Sequence, residues 1–240
     1  MFEKNNLKIY NSDCLEIMKG YQDNYFDLAI VDPPYGIGAD VQQNKAAESR
    51  IKAQGKSKAG RGWKLYKATN WDNATPDKEY FDELFRISKH QIIWGGNYFT
   101  DNLPPSMGWI VWNKQQRGFS LADGELAWTS FNKALRICDY SRGAALSNNN
   151  KNGGRFHPTQ KPKFLYRWIL KNYSNSDHRI IDTHLGSGSS AIASYYFGVK
   201  EFVGIEIDPD YYEKSINRIK QHTSQTVSYT HLTLPTTPYV

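Results

Sequence analysis

Short apolar runs rich in β-branched and aromatic residues recur along the chain, and between them apolar positions return every three or four residues. Leu7 to Tyr10, Leu28-Ala29-Ile30-Val31, Gln91 to Trp94, Trp109 to Trp112, Leu126 to Thr129, Leu135 to Cys138, Ile180-Ile181-Asp182 and Glu201 to Asp208 are too short for helices and read as strands. Helical spacing marks Lys78 to Lys89, through Tyr80, Phe81, Leu84, Phe85 and Ile87. It marks Lys163 to Tyr173, with Pro162 at its start, and Asp210 to Gln221, with Pro209 before it. Ala191 to Phe197 also reads as helix, while Asn148 to Arg155 reads as a mobile polar stretch. Strands alternating with helices at both ends predict an α/β fold with a doubly wound, mostly parallel sheet. The aromatic strands in the middle predict an antiparallel edge.

Two of these strands end in chemistry. After Leu28–Val31 comes Asp32-Pro33-Pro34-Tyr35. Proline has no N–H for a ladder, so the strand stops there. A carboxylate and an aromatic ring are thus held at the carboxyl end of a strand, where open α/β sheets bind ligands. The set suits a planar substrate bearing an amino group. Asp32 and the Pro33 carbonyl can each accept a hydrogen bond from an NH2, and Tyr35 can stack on the ring.

The second is Ile180-Ile181-Asp182, followed by Thr183-His184-Leu185-Gly186-Ser187-Gly188-Ser189-Ser190 and a helical run. Glycines allow close backbone approach to a ligand, and the helix N-terminus offers free N–H groups. Glu206, near the end of the next strand, lies where an acidic residue binds ribose hydroxyls. No G-K-[ST] follows the glycines, so this is no Walker loop, and the third glycine of a dinucleotide fingerprint is missing. A nucleoside with a cationic or zwitterionic tail fits better.

Together these motifs resemble the β group of amino-group DNA methyltransferases, in which the catalytic motif precedes the cofactor motif. His157-Pro158-Thr159-Gln160-Lys161-Pro162, Asn11-Ser12-Asp13-Cys14-Leu15 and Ile92 to Phe99 also resemble family motifs, and the likeness spans most of residues 6 to 221. Asp182-Thr183-His184 departs from the Asp-Pro-Phe common in the family. The resemblance implies a Rossmann-like methyltransferase fold with permuted motif order, and S-adenosylmethionine as cofactor. It implies Asp32, Pro33, Pro34 and Tyr35 as catalytic, and Asp13, Cys14, His157, Thr159, Lys161, Asp182, Gly186, Ser187, Gly188 and Glu206 as cofactor-binding. It implies methyl transfer to adenine N6 in bases flipped out of double-stranded DNA. Aspartate at the first motif position resembles the adenine enzymes, and serine the cytosine N4 enzymes. Cytosine N4, RNA or protein glutamine as target, and a catalytically idle DNA-binding protein, are the alternatives.

Charge adds a partner. Net charge is +6. Between Asp40 and Asn70 stand Lys45, Arg50, Lys52, Lys56, Lys58, Arg61, Lys64 and Lys67, against only Asp40 and Glu48. This basic, glycine-containing insert directly after Tyr35 is read as a mobile DNA contact. Trp94 and Trp112 read as core rather than base-stacking residues.

Two cysteines, Cys14 and Cys138, suggest neither a disulfide framework nor a zinc site, so no metal is expected. Neither is placed as a nucleophile for carbon-5 methylation of cytosine. No apolar leader and no run of 18 apolar residues is present, which argues against secretion and membrane spanning; the resemblance implies a cytoplasmic protein of a bacterial cell or phage-infected host. Residues 1–224 read as one methyltransferase domain, a monomer or homodimer. The uncharged tail 225–240 lacks helical period and reads as non-native.

Overall fold

Leu28 and Ile30 bury on one side of their strand, Ala29 and Val31 on the other, so the strand is covered on both faces. The same alternation holds next door, with Ile92 and Trp94 on the first face and Ile93 on the second. In the computed structural model the described residues are 1–38, 72–118, 122–151, 156–157 and 159–224, with helical positions 41, 45 and 48. Of the insert's basic residues only Lys45 is among them, exposed and at a helical position; Arg50, Lys52, Lys56, Lys58, Arg61, Lys64 and Lys67 lie outside. So does the tail 225–240.

The elements run β1 (Phe2–Lys4), β2 (Leu7–Asn11), α1 (Cys14–Lys19), β3 (Phe26–Val31), α2 (Lys78–Ile87), β4 (Ser88–Trp94), a 3₁₀ turn (Gly96–Tyr98), β5 (Trp109–Asn113), β6 (Gly124–Thr129) and β7 (Arg136–Asp139). They continue with α3 (Arg142–Lys151), α4 (Lys163–Tyr173), β8 (Arg179–Asp182), α5 (Ser189–Phe197), β9 (Glu201–Glu206) and α6 (Pro209–Ser224). The sheet order is β1-β2-β9-β8-β3-β4-β6-β5-β7. Strands β2, β9, β8, β3 and β4 are parallel neighbours. The antiparallel pairings fall at β1 against β2 and at β6, which lies between β4 and β5. The mostly parallel, doubly wound sheet is therefore present.

Helices α4, α5 and α6 cover the first face, with Leu165, Ile169, Ile192, Ile216 and Ile219 packed on Leu28, Ile30, Ile180 and Phe202. Helices α1 and α2 cover the second, with Met18, Phe81, Leu84 and Ile87 on Ala29, Ile93 and Val203. Each such apolar side chain contributes about 1.5–3 kcal/mol on full burial. Chain continuity runs from β3 through α2 to β4 on one side, and from β8 through α5 to β9 on the other. Between β8 and β3 the winding reverses, so the carboxyl ends of these two strands form the crevice.

Two expectations need correction. Helix α2 stops at Ile87 rather than Lys89, because Ser88 turns extended (φ −129°) and pairs with Phe26 as the first rung of β4 on β3. Ladder hydrogen bonds replace the helical ones there. Residues 148–151 of the expected polar stretch belong to α3, whose start is capped by the Ser141 hydroxyl accepting from Ala144 N at 3.2 Å.

Candidate active site

Asn11 ends β2 beside Glu206 at the end of β9. Its side chain donates to the carbonyls of Glu206 (2.8 Å) and Ile207 (3.1 Å), fixing the chain as it leaves the sheet. Asp13 then caps α1, accepting from Leu15 N at 2.7 Å. One strand further, the turn after β8 is held from β9: Leu185 N donates to the Ile205 carbonyl, and Gly186 N donates to Glu206 Oε2, both at 2.8 Å. Glu206 Oε1 accepts from Asp208 N at 3.0 Å. Burial pushes the Glu206 carboxyl up to about 7, against the pull of those two backbone donors.

A cavity of about 330 Å³ opens over these strand ends. Of the expected cofactor residues, Asp13, Cys14, His157, Thr159, Lys161, Gly186, Ser187 and Glu206 line it, and so do the catalytic candidates Asp32 and Pro34. Asp182 and Gly188 stand behind its wall. Asp182 is buried and accepts from the Ser190 hydroxyl (2.5 Å) and His184 N (3.1 Å), so it braces the turn from below. Burial raises its carboxyl to about 7. Gly188 is the left-handed residue (φ +72°) that starts α5, and it lies against Ile219 of α6.

His157 packs edge-on to Tyr211 and accepts from Thr159 N at its Nδ1, at 3.4 Å. Burial holds the His184 imidazole down at about 4, hence neutral, with Nδ1 on the Thr183 hydroxyl at 2.9 Å. The Cys14 thiol is pushed up to about 12 by burial and by Asp13, so it is a packing group at neutral pH and not a nucleophile.

The Asp32–Tyr35 turn is fastened from several directions. Asp72, fully buried, accepts from Tyr35 N (2.6 Å) and Gly36 N (2.9 Å). The Tyr35 hydroxyl donates to Asp32 Oδ1 at 2.6 Å, and Lys161 Nζ closes on Asp32 Oδ2. Tyr35 stacks on half-exposed Tyr98 with centroids 5.0 Å apart and planes at 13°. Gly95 makes room for this ring: its φ is +70°, and a Cβ there would stand 2.2 Å from Tyr35 Cε1. Lys161 lies over the buried Trp94 ring at 5.2 Å and also reaches Glu125, which Lys114 grips from its other side. Pro33 is buried at the turn. Trp94 and Trp112 are core residues, as expected.

Sequence reasoning missed Asp72, Glu125, Lys114, Tyr98 and Arg218. Arg218 donates to the Ser187 carbonyl (2.7 Å) and the Ser189 hydroxyl (3.0 Å) from within α6. A lone arginine in an otherwise ordinary amphipathic pattern carries no local signal. Asp72 follows the basic stretch without any motif around it. Tyr98 was legible only as part of the Ile92–Phe99 likeness.

The residues fit the cofactor that the motifs imply. The Gln160 amide is buried at the cavity wall, and among the described residues neither its nitrogen nor its oxygen has a hydrogen-bond partner. A ligand carrying both an ammonium and a carboxylate supplies partners for both. Asp13, Glu206 and the Gly186–Ser187 turn line the same cavity.

The family model of N6/N4 DNA methylases matches residues 49–218, a stretch that begins after the Asp32–Tyr35 turn. The chain is 24% identical over 245 residues to the type II methyltransferase M2.MboI of Moraxella bovis, covering 91% of this chain and 89% of that one. It is 25% identical to M.HpaI of Haemophilus parainfluenzae, covering 87% and 72%. Among solved structures, the M1.HpyAVI–SAM complex superposes with a TM-score of 0.54 at 18% identity, over 89% of this chain and 98% of that one. The cytosine-N4-specific PvuII DNA methyltransferase gives 0.55 at 14%, over 92% and 91%. These likenesses confirm the Rossmann-like methyltransferase fold. With the motif order and the cavity above, they place the chain in the β group of the N6/N4 DNA methylase family, as an S-adenosylmethionine-dependent DNA amino-methyltransferase.

Proposed function

We propose that this enzyme methylates adenine N6 in bases flipped out of duplex DNA. The observation that supports it most is Asp32, held at the wall of the cofactor cavity by the Tyr35 hydroxyl on one oxygen and Lys161 on the other. S-adenosylmethionine, when bound, supplies a methyl group activated by its sulfonium.

The rest falls to the chain. An ionised carboxylate offers about four acceptor positions, so Asp32 retains capacity for a substrate NH2. The Pro33 carbonyl is the second acceptor. Two acceptors on one amino group draw its hydrogens away and leave the nitrogen lone pair better able to attack. Catalysis is then a matter of position and prearranged charge, with no covalent enzyme intermediate.

Flipping the base costs a few kcal/mol. Stacking on an aromatic ring returns about 1–3 kcal/mol of that. Tyr35 is the ring assigned to this role. Tyr98 now lies parallel against it, so an arriving base parts the two rings and gains a face from each. The basic insert supplies phosphate contacts, and its Lys45 is exposed.

The test is methylation of unmodified DNA by the purified enzyme, followed by digestion and mass spectrometry of the nucleosides. N6-methyladenine is the expected product. N4-methylcytosine in its place overturns the adenine assignment, and failure to bind cofactor in calorimetry points to an idle fold.

A further inference from the structure

Four alternating charges run in a row across the catalytic end of the sheet: Lys114, Glu125, Lys161 and Asp32. Lys114 Nζ lies 2.6 Å from Glu125 Oε1, Glu125 Oε2 lies 3.3 Å from Lys161 Nζ, and Lys161 closes on Asp32. Lys161 is 5% exposed, and an ammonium has three donors. Its partners are Asp32, Glu125 and the Tyr35 hydroxyl at 3.3 Å. A cofactor role for Lys161 accounts for neither Glu125 nor Lys114.

We propose that Glu125 is a positioning residue for Asp32, acting through Lys161. It rests on the reading that Asp32 faces the target amino group. Lys161 lines the cavity as well as touching Asp32, so two acids compete for it: Asp32, and any carboxylate on the cofactor tail. Glu125, which is not among the residues that line the cavity, holds the ammonium over Trp94, where it stays on Asp32. Asp32 is then fixed at both oxygens and presents its remaining acceptor positions in one direction. Lys114 performs the same service for Glu125. Burial alone would raise the Glu125 carboxyl, but the two lysines outweigh it and hold it below its ordinary range, so it stays charged at working pH. The row is neutral in total, which is how buried charges are tolerated.

The experiment compares wild type, Glu125→Gln, Lys161→Gln and the double variant. It measures single-turnover methyl transfer with both substrates saturating, cofactor and DNA Kd, and Tm. Glu125→Gln keeps the shape and removes the charge. It is expected to slow transfer at least about tenfold, since small misplacements at a reacting centre cost up to about a hundredfold. Cofactor and DNA Kd should stay within about threefold, because binding is not what Glu125 serves. The double variant should be no slower than Lys161→Gln alone. An unchanged rate, a loss of cofactor affinity that matches the loss of rate, or losses that multiply in the double variant would each overturn the inference. Should Glu125→Gln fail to fold, Lys114→Gln carries the same test: a smaller loss of rate supports the row, and none overturns it. Asp32→Ala separates the two levels. If that variant still transfers methyl, the reading of Asp32 fails; if it is inactive while Glu125→Gln is normal, only the role of Glu125 fails.

Discussion

Asp32 is the residue proposed to face the target amino group, and its partners say how it should respond to change. Asp32→Ala should abolish methyl transfer while cofactor Kd stays within a few-fold, because the carboxylate serves the base rather than the adenosine. Tritium transfer and calorimetry on one preparation decide it, and near-normal transfer would sink the assignment. Gly95 gives a sharper steric test. Alanine there adds an atom 2.2 Å from the Tyr35 ring at φ +70°. The left-handed backbone alone costs roughly 1–2 kcal/mol with a side chain. Gly95→Ala should therefore lower Tm by several degrees, at about 2–4 °C per kcal/mol, and slow transfer by moving Tyr35. A variant with unchanged Tm and rate would mean that Tyr35 is not seated on Gly95. Glu206 predicts a pH effect. The folded protein holds its proton up to about 7, against 4.5 for the ordinary group, so the folded state binds more protons between those values. Stability from this group is present below about 4.5 and is lost as pH rises through about 7. Without cofactor, Tm of wild type relative to Glu206→Gln should fall as pH rises over that window; parallel curves would contradict it.

At the scale of elements, the site is made by strands that end level with one another. Residues 11 and 206 are paired partners across β2 and β9, and Asp182 pairs with Gly204 across β8 and β9. The turns that follow therefore emerge side by side. Helix α2 keeps them so from below, because Tyr80 reaches from it to the Thr183 hydroxyl at 2.7 Å. Its Leu84 is fully buried. Leu84→Ala should cost about 2–5 kcal/mol through reduced burial and a residual cavity. Thermal melting would register this as a drop of several degrees. Cofactor Kd of the folded fraction should hold, since Leu84 lies away from the cavity. A Tm within a degree of wild type would mean that α2 does not carry that share of the core.

For the whole molecule, charge is the property that matters beyond the fold. The six-charge excess of the Asp40–Asn70 insert equals the net charge of the entire chain, so the other residues balance. Such an excess is expected to give a non-sequence-specific, salt-dependent affinity for the phosphate backbone. Replacing Lys52, Lys56, Lys58 and Arg61 by glutamine should weaken DNA binding and reduce the slope of log K against log salt by about 0.9 for each phosphate that is no longer neutralised. An unchanged slope would show that the insert only solvates itself. Among the described residues no helix is long and apolar enough to cross a membrane.

Strand ends, proline stops and glycine turns are local, because side-chain period and backbone freedom act over a few residues. From them the sequence alone determined the α/β class, the two strand-end motifs, the helix from Lys163 to Tyr173 and eight of the ten cofactor candidates as residues that line the cavity. Pairings between distant segments were not legible. Lys161 and Tyr35 are 126 residues apart, and Asp72 is 37 residues from the turn it pins. Neither distance leaves a periodic trace. The decisive event is the insertion of β6 between β4 and β5, which runs Glu125 beside Trp112 and carries it to Lys161. Many strand orders satisfy the same hydrophobic alternation, and only the packed sheet selects one. The motifs therefore named Asp32 and Lys161 separately, and tertiary structure alone made them partners.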